Sequence, residues 1–431
     1  MNEGVHFQLE KVLSFALTGL IHKRCTKMLK RKKVVIFYSR LVDVGGAERL
    51  AIEEVRYFSK NYDAWLLTFK LNPEALFGYT DLKLKEIRFS HDGESEYYSF
   101  TSSLRRAITL ARELKKINCD LVIACSTAGP YELFLASLIY PVPYILHIHG
   151  TIFWFQEDPL KYALIFKPVF NTIRQSLKGH IKFIPQKLYC PFPQNVKKEL
   201  MAVLNYLAVK RAKTILVLGN HMKWEVQKLY HKNSIVLPLT CFPEHLLNYV
   251  PKENIQKRIG VGENTKIILS ISRLDPRKRI DLLIKSFAQI HKGLEDTVLV
   301  IGGKGSEKPK LEALSKKLGI SDKVKLVDFI PENKVWDYYA SCDIFAYPGW
   351  SDFAMTIYEA YGFNKKIVCS SEIEIPLRSN VFRADPTVKD FANTLKAALN
   401  TPLEKIDFQE LTWDNYFKQL EQIVHQVIEK N

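Results

Sequence analysis

The sequence has no C-x-x-C pair. Its seven cysteines, Cys25, Cys119, Cys125, Cys190, Cys241, Cys342 and Cys369, form an odd set. That set excludes a zinc knuckle or a disulfide framework and reads as reduced, mostly buried thiols. No uninterrupted apolar run reaches the roughly 18–20 residues that cross a bilayer, so no transmembrane helix is expected. The N-terminus lacks the positive-then-apolar order and the small-residue cleavage site of a secretory signal. The expectation is therefore a cytoplasmic chain whose membrane contact, if it makes any, is peripheral and at the cytoplasmic face. A helix-turn-helix signature and an aromatic-basic recognition motif are also missing, so nucleic acid is not expected as a partner.

What is present is length and positive charge. A chain of 431 residues is long for one core, and two domains are the natural organisation. The net charge of +16 implies an anionic partner of some kind, whether nucleic acid, a phosphorylated ligand or an acidic membrane. Much of it lies in two segments outside the regular pattern. Residues 1–33 read as an amphipathic helix followed by a basic cluster from Lys23 to Lys33, and 153–213 is a long, basic, aromatic-rich insertion.

Between these segments the chain alternates strand and helix. Val34–Ser39 is the first apolar strand, followed by a glycine loop and a helix from Ala47; further strands are expected at 64–69, 121–124, 144–148, 214–218 and 235–237. The rhythm restarts at 266–271, 297–301, 324–327, 344–347 and 367–369, with a helix over 281–291. Two doubly wound α/β modules are the economical reading. Pro238, Pro243, Pro251 and Gly260 interrupt periodicity at the junction. The expected domains are 34–245, carrying the insertion, and 246–408. A last amphipathic helix over 413–429 places Phe417, Leu420, Ile423, Val424 and Val427 on one face.

Three places could carry chemistry. Ser272 to Arg279 (SRLDPRKR) follows a strand and puts four cations within seven residues at a sheet's C-terminal edge, where doubly wound sheets bind ligands. A solvated basic loop would look the same. Trp350 to Ala360 (WSDFAMTIYEA) starts a helix after the strand 344–347. Its amides could meet phosphate oxygens, with Glu359 able to accept from ribose hydroxyls; alternatively Ser351 or Asp352 is an ordinary N-cap. Gly45-Gly46-Ala47-Glu48 allows close backbone approach to a ligand, or is simply a turn. His149, at a strand end before Gly150, is the histidine best placed to face a cleft. Gly302-Gly303-Lys304-Gly305 could cradle phosphate but lacks the dinucleotide spacing.

Taken in order, these segments resemble the retaining GT-B glycosyltransferases commonly called family four, from about Val34 to Val424. Arg273-Leu274-x-x-x-Lys278-x-x-Asp281 is similar to that family's diphosphate-binding Arg and Lys. The blocks from Val298 to Gly305 and from Tyr338 to Phe345 resemble its next two. The implied fold is GT-B: two Rossmann-like doubly wound domains, with the C-terminal helix (409–431) crossing back onto the N-terminal, acceptor-side domain. The resemblance further implies that Arg273 and Lys278 hold the donor diphosphate, Glu359 the ribose, and the amides of Ala354, Met355 and Thr356 the phosphate. Gly45 and Gly46 would lie beneath donor and acceptor, and His149 beside the donor sugar. Ser351 stands where the family keeps its first glutamate, and Asp352 is the obvious stand-in. Arg279 and Ala354 replace family glycines, narrowing the space near the phosphate.

The implied reaction is transfer of a hexose or N-acetylhexosamine from a nucleoside diphosphate sugar to a glycan or lipid-linked acceptor, with retention. No metal or other cofactor is expected, because fixed cations and helix amides can stabilise the leaving diphosphate. The basic segments fit either contact with an anionic membrane or extra helices packed on the first domain. Two other readings are a weak or inactive nucleotide-sugar binder and a sugar-nucleotide epimerase; the epimerase would call for carboxylates in place of the Arg–Lys loop.

Overall fold

The computed structural model describes residues 31–42, 44–89, 100–126, 130–150, 195–239, 246, 248–350, 354–375, 379–405 and 412–430. The N-terminal segment up to 30, the insertion between 151 and 194, and residues 351–353, Asp352 among them, lie outside the described residues.

The first sheet is built from β1 (Lys33–Tyr38), β2 (Asp63–Thr68), β3 (Leu84–Glu86), β4 (Leu121–Ser126), β5 (Tyr144–Ile148), β6 (Thr214–Val217) and β7 (Ile235–Val236). Its spatial order is β3-β2-β1-β4-β5-β6-β7, and every pairing is parallel. The second sheet comprises β8 (Lys266–Ile271), β9 (Thr297–Gly302), β10 (Val324–Leu326), β11 (Ile344–Tyr347), β12 (Lys366–Ser370) and β13 (Val381–Ala384). It is also parallel, in the order β10-β9-β8-β11-β12-β13. In both sheets the strand order reverses beside the first strand of the module. That switch point opens a crevice at the strands' C-terminal ends.

Central strands such as Tyr144–Ile148 and Thr297–Gly302 are buried along their whole length, so they read as continuous apolar runs. The sequence reading overlooked β3 and β13 for the complementary reason. Each is an edge strand, with compositions LKE and VFRA and partial exposure, and carries no apolar run.

Helices α1 (Gly46–Asn61), α2 (Phe100–Ile117), α3 (Tyr131–Ile139), α4 (Asn195–Arg211) and α5 (Asn220–Tyr230) accompany the first sheet. The second has α6 (Ile255–Ile259), α7 (Ile280–Ile290), α8 (Lys308–Lys317), α9 (Glu332–Ser341), α10 (Met355–Gly362) and α11 (Val388–Asn400). Between the two, Tyr249 OH and the Lys252 amide both donate to Asp337 on α9, attaching this connecting stretch to the second module.

The last helix, α12 (Trp413–Glu429), is capped by Thr412, whose hydroxyl accepts from the Asn415 amide. It returns to the first module. Phe417 stacks on Tyr57 of α1 at 5.0 Å between ring centroids, and Tyr57 OH donates to Glu421 at 2.9 Å. Trp413, Tyr416, Phe417, Leu420, Val424 and Val427 are buried. Leu420 alone, fully buried, contributes about 1.5–3 kcal/mol to holding the helix down. All four described cysteines, Cys119, Cys125, Cys342 and Cys369, are free and buried.

Candidate functional site

Two helix starts meet between the modules. Gly45 is the N-cap of α1 and Ala354 that of α10, and neither makes a side-chain capping bond. A Cβ placed on Gly46 would lie 3.5 Å from Met355 Cβ, so the two N-termini are neighbours across the cleft. Each carries first-turn amides without intrahelical partners and the positive end of a helix dipole. Converging, they favour an anion. A Cβ on Gly45 would come within 2.8 Å of Glu48 Oε2, the movable end of a flexible side chain. Glu48 in turn accepts from Tyr38 OH at 2.9 Å. Ala354 and Met355 are buried, and Thr356 is half-buried.

The basic loop after β8 is held against this place by backbone contacts. Asp275 caps the short 3-10 turn Pro276–Lys278, and the Trp350 amide donates to Arg277 O at 3.2 Å. A Cβ on Gly349 would fall 3.0 Å from Lys278 Cα, so glycine there lets the turn before α10 sit on the loop. Half-buried Lys278 donates from Nζ to Tyr347 OH at 2.6 Å, at the end of β11. Arg273 is exposed on the same loop.

The glycines from 302 to 305 have a packing job. A Cβ on Gly303 would meet Ser272 O at 1.8 Å and one on Gly305 would meet Leu274 O at 2.2 Å. They bring β9's exit loop against the basic loop, where Leu274 N donates to Lys304 O.

Arg279 adopts φ 48°, the left-handed region that favours glycine. Its guanidinium Nη1 lies 2.6 Å from Glu372 Oε2, an ion pair in which both side chains are almost fully buried. The side chain expected to narrow the phosphate space is thus engaged with Glu372.

Glu359 is buried on α10, and both its oxygens have partners. Arg49 Nη1 is 3.1 Å from Oε1, and Tyr339 OH donates to Oε2 at 2.7 Å. Arg49 also reaches Glu332 at 2.8 Å and lies 5.2 Å over the Trp336 ring. Burial would lower the Arg49 pKa, but Glu359, Glu332 and Glu53 outweigh it and raise it. Burial also raises Glu332, against the pull of Arg49. The only sequence signal for Arg49 was a cation directly after the Gly-Gly-Ala-Glu loop.

His149 follows β5 and is buried, and neither ring nitrogen meets hydrogen-bond geometry with a described residue. Its Nε2 lies 3.8 Å from Oε1 of Glu54, a fully buried carboxylate in the middle of α1. The same oxygen is 2.7 Å from His147 Nδ1, while Cys125 Sγ donates to Oε2 at 3.2 Å. Burial pushes the Glu54 carboxyl up, but the two imidazoles outweigh it and hold it at about 2. Burial first, and His147 second, press His149 below its ordinary value. One ligand atom from each of Glu54, Cys125, His147 and His149 falls within 4.8 Å of the others. No sequence pattern marked Glu54, which sits among apolar residues on an amphipathic helix.

Two parallel-sheet modules, a crevice at both sets of strand ends and a C-terminal helix returning to the first define a GT-B fold. Solved GT-B structures superpose along nearly the whole chain. A glycosyltransferase from Rickettsia africae ESF-5 gives a TM-score of 0.69 at 16% identity, covering 93% of this chain and 100% of that one. Anabaena Alr3699/HepE in complex with UDP and glucose gives 0.66 at 17%, covering 92% and 100%. At such identities the likeness concerns the fold.

Residues 251–405 match the family of glycosyl transferases group 1. Among curated relatives, the N-acetylgalactosamine-N,N'-diacetylbacillosaminyl-diphospho-undecaprenol 4-alpha-N-acetylgalactosaminyltransferase of Campylobacter jejuni is 34% identical over 142 residues. That match covers 32% of this chain and 37% of the relative. A GDP-mannose-dependent alpha-(1-6)-phosphatidylinositol monomannoside mannosyltransferase of Mycolicibacterium smegmatis is 30% identical over 97 residues, covering 22% and 25%. The matched stretches span between a quarter and two fifths of these relatives.

Proposed function

We propose that the chain transfers a hexose or N-acetylhexosamine from a nucleoside diphosphate sugar to a glycan or lipid-linked acceptor, with retention of configuration and without a metal. The observation that carries this reading is the meeting of two helix N-termini, with Gly45 and Ala354 at their N-cap positions, and the packing of the Lys278 loop on the turn before the second. Oriented amides and a fixed cation there oppose the charge that grows on a departing diphosphate. Arg273 and Lys278 bind the diphosphate, the amides of Ala354, Met355 and Thr356 receive phosphate oxygens, and Gly45 and Gly46 leave space for the sugar. Glu359, already accepting from Arg49 and Tyr339, keeps lone pairs for a ribose hydroxyl. His149 stands beside the transferred sugar, and Asp352 takes the part of the acid missing at 351.

In this reading the bond from the anomeric carbon to the diphosphate oxygen breaks on the face where the acceptor hydroxyl attacks. The acceptor's proton passes to the leaving diphosphate oxygen. The Campylobacter relative's name, with its diphospho-undecaprenol acceptor, supports a lipid-linked acceptor here. The basic segments then meet an anionic membrane at its cytoplasmic face. Among the described residues no helix is long and apolar enough to cross it.

The test is release of nucleoside diphosphate from UDP-, GDP- and ADP-sugars by the purified chain, with and without lipid-linked acceptor and with EDTA present. Product anomeric configuration is read by NMR. Turnover of at least one donor, unaffected by EDTA, is expected; no turnover of any donor overturns the proposal. A second reading, nucleotide-sugar binding with little turnover, is favoured by Ser351 standing where the family keeps its first glutamate. Donor binding without nucleotide release would select it.

A further inference from the structure

Three side chains link the C-terminal helix to His149. Tyr416 of α12 places its hydroxyl 3.1 Å from His147 Nε2. The opposite ring nitrogen, Nδ1, is 2.7 Å from Glu54 Oε1, and the same oxygen lies 3.8 Å from His149 Nε2. Glu54, His147, His149 and Tyr416 are all buried. The proton positions follow from chemistry. An ionised carboxylate only accepts, so Nδ1 of His147 carries its hydrogen and, in the neutral ring, Nε2 accepts the Tyr416 hydroxyl proton. The His147 and His149 rings meet edge to face, centroids 4.4 Å apart, so rotation of one displaces the other.

We propose that Glu54 and His147 are positioning residues that transmit the docking of the C-terminal helix to His149, fixing its ring orientation only when Tyr416 is seated. Whether His149 then acts on a sugar rests on the glycosyltransfer reading above; the coupling itself does not. The link has a use in a two-domain protein. Helix α12 follows the second module in the chain but packs on the first, so its seating reports whether the modules are joined. Among the described residues His149 makes no hydrogen bond of good geometry, and the carboxylate beside it is held by His147 and Cys125. Among the described residues, the Tyr38 ring, 6.4 Å from that of His149, and the Ala47 carbonyl also face the cluster.

The experiment uses the full chain with nitrogen-15 histidine and compares the wild type with Tyr416→Phe, Glu54→Gln and Tyr57→Phe. Tyr57→Phe removes a different bond of the same helix, to Glu421, and controls for docking alone. Imidazole nitrogen shifts are expected to report His147 protonated at Nδ1. They are also expected to change at His149 in Tyr416→Phe and Glu54→Gln while staying in place in Tyr57→Phe. Unchanged His149 resonances in Tyr416→Phe overturn the proposal, and so does an equal change in Tyr57→Phe. Stoichiometric zinc in the purified protein would also overturn it, since a metal among these four residues would displace the protons that define the link.

A second arm reads turnover of whichever donor the wild type uses. Tyr416→Phe is expected to lower kcat about tenfold with donor KM within twofold, while Tyr57→Phe keeps both. A wild type that turns over no donor defeats the functional reading and leaves the nitrogen shifts to decide the coupling.

Discussion

Arg49 Nη1 lies 3.1 Å from Glu359 Oε1, joining the first helix of one module to the helix beneath the proposed phosphate site of the other, 310 residues apart. Each side chain is less than a tenth exposed. Removing one member of a buried pair leaves the other as an uncompensated charge, which generally costs about 3–5 kcal/mol. Arg49→Met should therefore lower the unfolding free energy by about that much, read from denaturant titration. Arg49→Met combined with Glu359→Gln should recover much of the loss, because the more deeply buried charge is then gone and Glu332, 37% exposed, keeps its contact with water. Equal instability of single and double variants would show that Arg49 acts through its packing on Trp336 and not through the pair.

Backbone contacts from Gly349 and Trp350 hold the loop that carries Lys278 against the turn before α10. Lys278→Ala should reduce nucleoside-diphosphate release by more than a hundredfold, about 2.7 kcal/mol of transition-state stabilisation, while the circular dichroism spectrum stays that of the wild type. Near-normal release would remove the diphosphate role from this loop.

Arg279 occupies a left-handed conformation and is anchored by Glu372. Arg279→Gly relieves the backbone but strands Glu372, whose Oε1 is already buried without a partner. Arg279→Gly together with Glu372→Gln should therefore be more stable in urea than Arg279→Gly alone, by about 1–3 kcal/mol. Identical midpoints would show that the ion pair contributes nothing.

His149 gives the fold a dependence on pH with a definite sign. Its folded pKa is pushed below the ordinary 6.5, chiefly by burial and then by His147, so the unfolded chain takes up the proton first. The stabilisation is complete above pH 6.5 and declines as pH falls below it, at no more than about 1.4 kcal/mol per pH unit, levelling off under the folded value. His149→Gln should flatten the curve of Tm against pH just below 6.5. Parallel curves for the two proteins would assign the acid sensitivity to other groups.

Ligand choice can be read without an acceptor. At a hundredfold its dissociation constant, the correct nucleoside diphosphate stabilises the fold by about 2.7 kcal/mol. One of UDP, GDP and ADP should raise Tm well above the other two, and the rise should disappear in Lys278→Ala. A rise that persists in that variant would place the nucleotide elsewhere.

The sequence by itself determined the two parallel modules, since strands buried on both faces must be apolar throughout, as at 144–148 and 297–302. It also determined the helix over 413–429, whose apolar positions recur at the helical period. Arg273, Lys278 and the glycines could be singled out because turns and cations at strand ends are local features. Edge strands at 84–86 and 381–384 were not legible, since half-exposed residues carry no apolar signature. Only the tertiary structure decided that Glu359 belongs to Arg49 and Tyr339, that Arg279 is spent on Glu372, and that Glu54 sits beside two histidines. Each of these pairings joins residues from about 20 to more than 300 positions apart, and a buried charge finds its partner by proximity in the folded chain, which no spacing along the sequence encodes.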